Sequence, residues 1–190
     1  MMMPVLVMGI FFSGTLYAEN SSAEVPPIFK EGDKVINLGL GIGTTLYTGR
    51  YYTSRVPPVS VSFEMGFMDD FLIEDLTLGL GGYLGYASSK YEFGQGLWGW
   101  DYTYIIIGGR GAAHYPIIEN LDTYVGLMMG VNITTSRAFG DGSSSFSADG
   151  SGIAYSLYGG ARYYFSENLA VFGELGYGIS YLTVGLALRF

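Results

Sequence analysis

Val59-Ser60-Val61-Ser62-Phe63-Glu64-Met65-Gly66-Phe67 alternates without a fault, with bulky apolar side chains at odd positions and small or polar ones at even positions. A period of two marks a strand with two unlike faces, because successive side chains of an extended chain point to opposite sides. The same reading carries outward in both directions. Upstream, Ile36, Leu38, Leu40 and Ile42 alternate with Asn37, Gly39, Gly41 and Gly43 in a segment reaching Tyr47. Downstream, Leu76, Leu78, Leu80, Leu84 and Tyr86 oppose Thr77, Gly79, Gly81, Tyr83 and Gly85. Tyr102 to Tyr115 is less regular, with Ile105, Ile107 and Ala113 facing away from Tyr104, Ile106, Arg110 and His114. Segments at Tyr124–Thr134, Ile153–Phe165, Leu169–Tyr177 and Leu182–Phe190 complete a set of eight.

The composition says what the two faces meet. Hydrophobic residues make up 49% of the chain and charged ones only 14%, well below the roughly 25% of an average soluble domain. Past residue 18, no apolar run approaches the roughly 18 to 20 residues that a membrane-spanning helix needs. In a soluble barrel the second face would carry the solubilising charges. Here it is mostly Gly, Ser, Ala and Thr, which suits a narrow barrel interior, while the continuous bulky face suits lipid. Lipid tolerates no open sheet edge, and an even strand number allows closure. The expected fold is all-β, an eight-stranded antiparallel up-and-down transmembrane β-barrel over residues 35–190. An excess of 17 acidic over 9 basic residues argues against nucleic acid as a partner. With no cysteine, disulfides, thiolate metal sites and Cys nucleophiles are excluded.

Val5 to Leu16 form a short apolar core followed by Tyr17-Ala18-Glu19, the pattern of a signal peptide spanning residues 1–18 with cleavage after Ala18. Its first residues lack the usual Lys or Arg. Residues 19–34, with Pro26-Pro27 and mixed charges, read as an exposed leader. Short links at Pro116–Leu121 and Ser166–Asn168 and a moderate one at Met68–Asp75 alternate with longer ones at Thr48–Pro58, Ser88–Gly99 and Arg137–Ser151. The last of these is rich in Gly and Ser, and a final link at Gly178–Ser180 is short. Barrels of this kind keep short turns on the periplasmic side, so both termini are expected there. Tyr86, Tyr115, Tyr177, Trp98 and Trp100 fall near strand ends, where aromatic girdles meet the head groups.

These residues resemble the small eight-stranded outer-membrane barrels of the OmpA/OmpX and opacity type, over about residues 35–190. The most specific part is the C-terminus, where Thr183, Gly185, Leu188 and Phe190 occupy the polar, glycine, hydrophobic and terminal aromatic places of that family's barrel-assembly signal. The resemblance implies a bacterial outer-membrane protein surrounded by outer-membrane lipid, carried by periplasmic chaperones and inserted by the barrel-assembly machinery.

Inward parity places Glu64, Arg110, Arg162, Glu174 and Arg189 inside the barrel. Confined charges are tolerated when paired, so an interior ion-pair network is expected, with Arg162 and Glu174 on adjacent strands and Arg189 on the strand after. It would plug the lumen; an ion path is the alternative. His114 is the sole histidine, so any catalytic triad must use it. Lipid A deacylases of this fold place a catalytic His and Ser two apart on one strand, whereas His114 precedes Tyr115 and Pro116, which favours a structural role. Gly39–Gly43 and Gly79–Gly82 lack the spacing of phosphate loops. Asp69, Asp70, Glu74, Asp75, Asp141 and Asp149 lack that of a calcium loop. No cofactor or metal is implied. Arg50, Tyr51, Tyr52, Arg55, Trp98 and Trp100, with Tyr91 and Phe93, are candidate external contacts for a surface ligand. The expected function is non-enzymatic: envelope integrity or surface-loop adhesion. A lipid-modifying barrel enzyme and a narrow passive channel are the alternatives.

Overall fold

The computed structural model describes residues 25–47, 49–93, 98–140 and 147–190. The expected signal peptide, the start of the expected leader and the Gly/Ser-rich residues 141–146 lie outside the described residues. Eight strands follow in order: β1 (Lys34–Thr44), β2 (Tyr52–Met68), β3 (Thr77–Phe93), β4 (Trp98–Ile118), β5 (Leu121–Gly140), β6 (Ser147–Tyr164), β7 (Leu169–Tyr177) and β8 (Ser180–Arg189). Each pairs antiparallel with the next, and β1 pairs with β8 to close the barrel.

The parity reading survives in the register. Leu38 lies opposite both Val61 and Leu186, Leu84 opposite Ile107, and Val131 opposite Ile153, so apolar residues meet across strands all around the outer wall. Those side chains are left uncovered, up to 81% exposure at Ile153. A soluble protein does not display such a continuous belt; hydrocarbon covers it at no cost. The inner face is more aromatic than the sequence suggested. Tyr104, Tyr124, Tyr158, Tyr164 and Phe172 are all buried there. Small residues make room for them: a Cβ on Gly126 would lie 2.5 Å from the Tyr158 hydroxyl, and one on Gly185 2.7 Å from the Phe172 ring.

Two features depart from expectation. The first is strand length: β2 to β6 run 17, 17, 21, 20 and 18 residues, against 11, 9 and 10 for β1, β7 and β8. About 9–11 residues suffice to span a bilayer. Five strands therefore rise well past the apolar belt, and most of the expected links at 48–58, 88–99 and 137–151 are ladder instead of loop. Above the belt both faces are polar or aromatic and the period-two signal fades, yet backbone pairing needs no apolar face. Tyr91 still lies opposite Trp100, and Trp100 opposite Ala138.

The second is the segment before β1. Residues 25–33 were expected to be exposed, but Phe29 is only 2% exposed and stops the end of the barrel at which β1 starts and β8 ends. Gly32 N–H donates to the Gly66 carbonyl at 2.9 Å, Gly66 N–H to the Asp33 carbonyl at 2.9 Å, and Glu31 N–H to Asp69 Oδ1 at 2.9 Å. The approach is so close that a Cβ on Gly66 would fall 1.9 Å from the Lys30 carbonyl oxygen. At the other end, the β1–β2 link dips inward. Leu46 packs on an interior cluster containing Ile106, Met128, Tyr158 and Ile179, and Thr45 N–H donates to the Ile179 carbonyl at 3.2 Å.

Candidate functional site

The two interior apolar clusters leave a polar layer between them, filled by charge. Arg162 on β6 is fully buried. Its guanidinium pairs with Glu64 on the opposite wall, with Asp122 at 2.9 Å on neighbouring β5, and through Nε with Asn37 Oδ1 at 3.2 Å. Its planar face lies 4.6 Å from the centroid of Tyr124 and 5.7 Å from that of Phe29. His114 sits between the same two carboxylates, Nδ1 at 2.8 Å from Asp122 Oδ1 and Nε2 at 3.1 Å from Glu64 Oε1. Phe29 covers the imidazole, with ring centroids 4.2 Å apart.

A second pair lies deeper. Arg110 Nη2 donates to Glu174 Oε1 at 2.8 Å, Tyr124 hydroxyl donates to the same oxygen at 2.9 Å, and Tyr158 lies 4.3 Å from the guanidinium carbon. Arg110 Nη1 reaches Ser62 Oγ at 3.1 Å, and Asn37 Nδ2 donates to that oxygen at 3.0 Å. Asn37 thus joins both halves into one network across the lumen. Nearly every donor and acceptor is matched, the condition under which buried charge is tolerated.

Of the five interior charges read from parity, the structure brings four together. Arg162 and Glu174 lie on adjacent strands, as read, but the register sets Glu174 opposite Gly160 and Arg162 opposite Phe172, and each finds its partner across the barrel. Arg189 stands apart at the rim. It donates to the Ile28 and Glu167 carbonyls, both at 2.6 Å, and lies over Tyr164. Asp122 was missed because it falls just outside the Tyr124–Thr134 alternation. Its even parity is that of the inward residues Tyr124 and Met128, and this signal could have found it.

This arrangement holds charge rather than exchanging it. Both ring nitrogens of His114 face carboxylates, so no lone pair is free to activate a hydroxyl, as nucleophilic catalysis requires. The remaining interior space beside Arg110 is a cavity of about 30 Å³ lined by Ser60, Tyr83, Glu174, Ser180 and Thr183, among others. That is room for about two waters. One would satisfy the buried Arg110 Nε–H, which finds no protein acceptor. Among the described residues no cluster of His, Cys, Asp and Glu is arranged to hold a metal ion.

The long-strand end forms a tyrosine-rich mouth. Tyr47 stacks at 5.9 Å on both Tyr52 and Tyr104, and Tyr52 lies 5.0 Å from Tyr91 and 6.0 Å from Tyr102. Of the candidate contacts, Tyr52, Arg55, Trp98 and Trp100 sit on strands instead of loops, and Arg50 and Tyr51 in the turn before β2. Arg50 donates to Tyr51 hydroxyl at 2.7 Å, and Arg55 bridges Asp101 at 3.2 Å. Trp98 is 48% exposed. Thr183, Gly185 and Leu188 lie on β8, and Phe190 follows it with its N–H on the Lys34 carbonyl at 3.0 Å.

No protein-family model and no curated protein matches the sequence. Solved structures do. The Yersinia pestis attachment invasion locus protein Ail, in complex with the heparin analogue sucrose octasulfate, aligns with a TM-score of 0.50 at 15% identity, covering 84% of this chain and 99% of Ail. Neisserial surface protein A aligns at 0.47 and 13% identity, with 84% and 98% covered. The N-terminal β-barrel domain of Pseudomonas aeruginosa OprF aligns at 0.42 and 17% identity, with 84% and 98% covered. The chain has the fold of the small eight-stranded outer-membrane β-barrels.

Proposed function

We propose that this protein is a non-enzymatic integral protein of the bacterial outer membrane with a closed lumen, which lends its wall to the envelope and presents the mouth formed by β2–β6 to the outside. The observation that carries this reading is the charge network spanning the barrel, with a cavity of about 30 Å³ beside Arg110. An uncovered apolar belt outside and matched charges inside are what a lipid-embedded, non-conducting barrel requires. The short β4–β5 and β6–β7 turns share one end with the start of β1 and the end of β8, which supports placing the termini in the periplasm. Thr183, Gly185, Leu188 and Phe190 would then be read by the barrel-assembly machinery after delivery by chaperones.

Surface adhesion through the mouth is the role in keeping with its exposed aromatics. The heparin analogue held by Ail does not transfer simply. Among the described residues Arg50, Arg55, Lys90 and Arg137 are nearly balanced by Glu92, Asp101 and Asp149, and Lys90 is ion-paired to Glu92. A polyanion therefore gains little there. Planar-bilayer recording of the refolded protein tests the closed lumen: the expected result is no steady conductance, and stable open channels in the wild type would refute it. Removal of Arg50–Arg55 with retained insertion should lower surface adhesion; unchanged adhesion would move the contact elsewhere.

A further inference from the structure

The β1–β2 seam fails while both strands still run. Their ladder extends from Lys34 opposite Met65 to Leu40 opposite Val59 and stops there. Yet β1 continues beside β8 to Thr44, and β2 continues beside β3 to Tyr52. Pro57 and Pro58 supply the cause: neither has an N–H to give to Gly41 or Ile42. Above this point β1 is held in the wall by β8 alone, and beyond Thr44 its link turns into the mouth, Leu46 onto the interior cluster and Tyr47 onto Tyr104.

A cleft of about 520 Å³ remains on the outer surface, walled by Ile42, Thr44, Tyr47, Tyr52, Pro57 and Pro58. At Leu40 it runs into a shallow groove of about 470 Å³ on the apolar belt, over Leu38, Val61, Leu84 and Leu186. We propose that cleft and groove together bind an acyl chain of a phosphorylated, multiply acylated outer-leaflet lipid, whose head-group phosphate reaches Arg50. The inference rests on the outer-membrane reading above.

Three features select this occupant. The groove opens onto the apolar belt, so what fills it must come from the bilayer, and each volume lies in the range of small-molecule sites. Gly41 and Ile42 present backbone groups to the cleft where the wall gives them no β2 partner, and a polar head group can meet them. Arg50 follows Gly49, which lines the cleft. Among the described residues its recorded partner is Tyr51, beneath its guanidinium at 4.9 Å, and no carboxylate neutralises it. That leaves its charge for an anionic head group.

The test uses the full mature chain, which has no native cysteine. Ile42→Cys, at the cleft, and Ile133→Cys, on the belt away from it, have similar native exposures of 53% and 42%. Each carries a benzophenone label in phosphatidylcholine vesicles containing a small fraction of lipid A, and an unboiled cold gel first confirms the closed barrel. Photo-crosslinking to lipid A should be several-fold higher at position 42 than at 133. Arg50→Gln should bring it down to the level at 133 while leaving crosslinking to phosphatidylcholine unchanged. Pro57→Val/Pro58→Val, which restores donors to the seam, should do the same, and if that variant does not insert, the first two comparisons decide. Equal yields at 42 and 133 in a folded barrel overturn the lipid site alone. An excess at 42 that survives Arg50→Gln overturns the phosphate contact. Absence of a gel shift in the wild type overturns the membrane reading and this site with it.

Discussion

Arg162→Met tests whether the interior network stabilises the barrel. Methionine keeps most of the apolar stem, so the substitution removes charge more than volume. The lost partners are Glu64, Asp122 and Asn37, and both carboxylates remain buried with only His114 between them. Removing one member of a buried ionic cluster costs about 3–5 kcal/mol, chiefly because the survivors stay desolvated and unpaired. With a urea dependence of about 2 kcal/mol per molar, the unfolding midpoint should fall by about 2 M. Arg189→Met is the control. Its guanidinium holds two carbonyls at the rim, which water can reach once it is gone, so the loss should be about 1 kcal/mol, or a shift of about 0.5 M. The assay is urea unfolding in vesicles, scored as the fraction of fast-migrating unboiled band. Adding Glu64→Gln to Arg162→Met removes one orphaned charge and should recover part of the loss, the non-additivity expected within one network. Equal midpoints for Arg162→Met and Arg189→Met would refute the reasoning.

Other expectations follow from the same structure. Gly81→Ala places a Cβ against the Phe63 carbonyl and should abolish the gel shift, whereas Gly173→Ala, with nothing within 4 Å of its added carbon, should insert like the wild type. Phe29→Ala empties the plug over His114 and should destabilise the barrel by about 3 kcal/mol in the same urea assay, the usual cost of deleting a buried aromatic ring. Deleting Phe190 removes the terminal aromatic and its N–H bond to Lys34; insertion rate into vesicles containing the assembly machinery should fall while spontaneous refolding in detergent is retained.

How far the sequence was legible follows from what each signal depends on. Parity named the wall correctly wherever one face is bulky and uncovered and the other lines the lumen, as at Val61, Leu84, Ile107 and Val131, because the contrast between the two faces there is large. It fell silent above the belt. The Trp98–Asp101 stretch extends β4 ahead of the segment read from Tyr102, with both faces polar or aromatic, and only its cross-strand partners reveal it as strand. Parity also placed Glu64, Arg110, Arg162 and Glu174 in the interior, but it carries no information on which wall faces which. The cross-lumen pairs of β2 with β6 and of β4 with β7 arise from closure and tilt. Phe29 was hidden for another reason. A single aromatic after Pro26-Pro27 has no period at all, and its burial is decided by the barrel end it happens to fill.

The placement of charge also constrains the order of events during insertion. Glu64 and Arg162 are 98 residues apart, and Arg110 and Glu174 are 64 apart. No single hairpin contains either pair: β2–β3 enters with an unmatched carboxylate, and β4–β5 with an unmatched guanidinium beside Asp122 and His114. A stepwise path that committed hairpins to hydrocarbon one at a time would strand each of these in oil until β6 and β7 brought their partners. Late, concerted ring closure avoids that barrier, since every ion then meets its counter-ion in the same event. The lumen's ionic lock is thus a selector of assembly pathway, favouring sheets that grow in a polar shelter and enter the bilayer only when nearly complete.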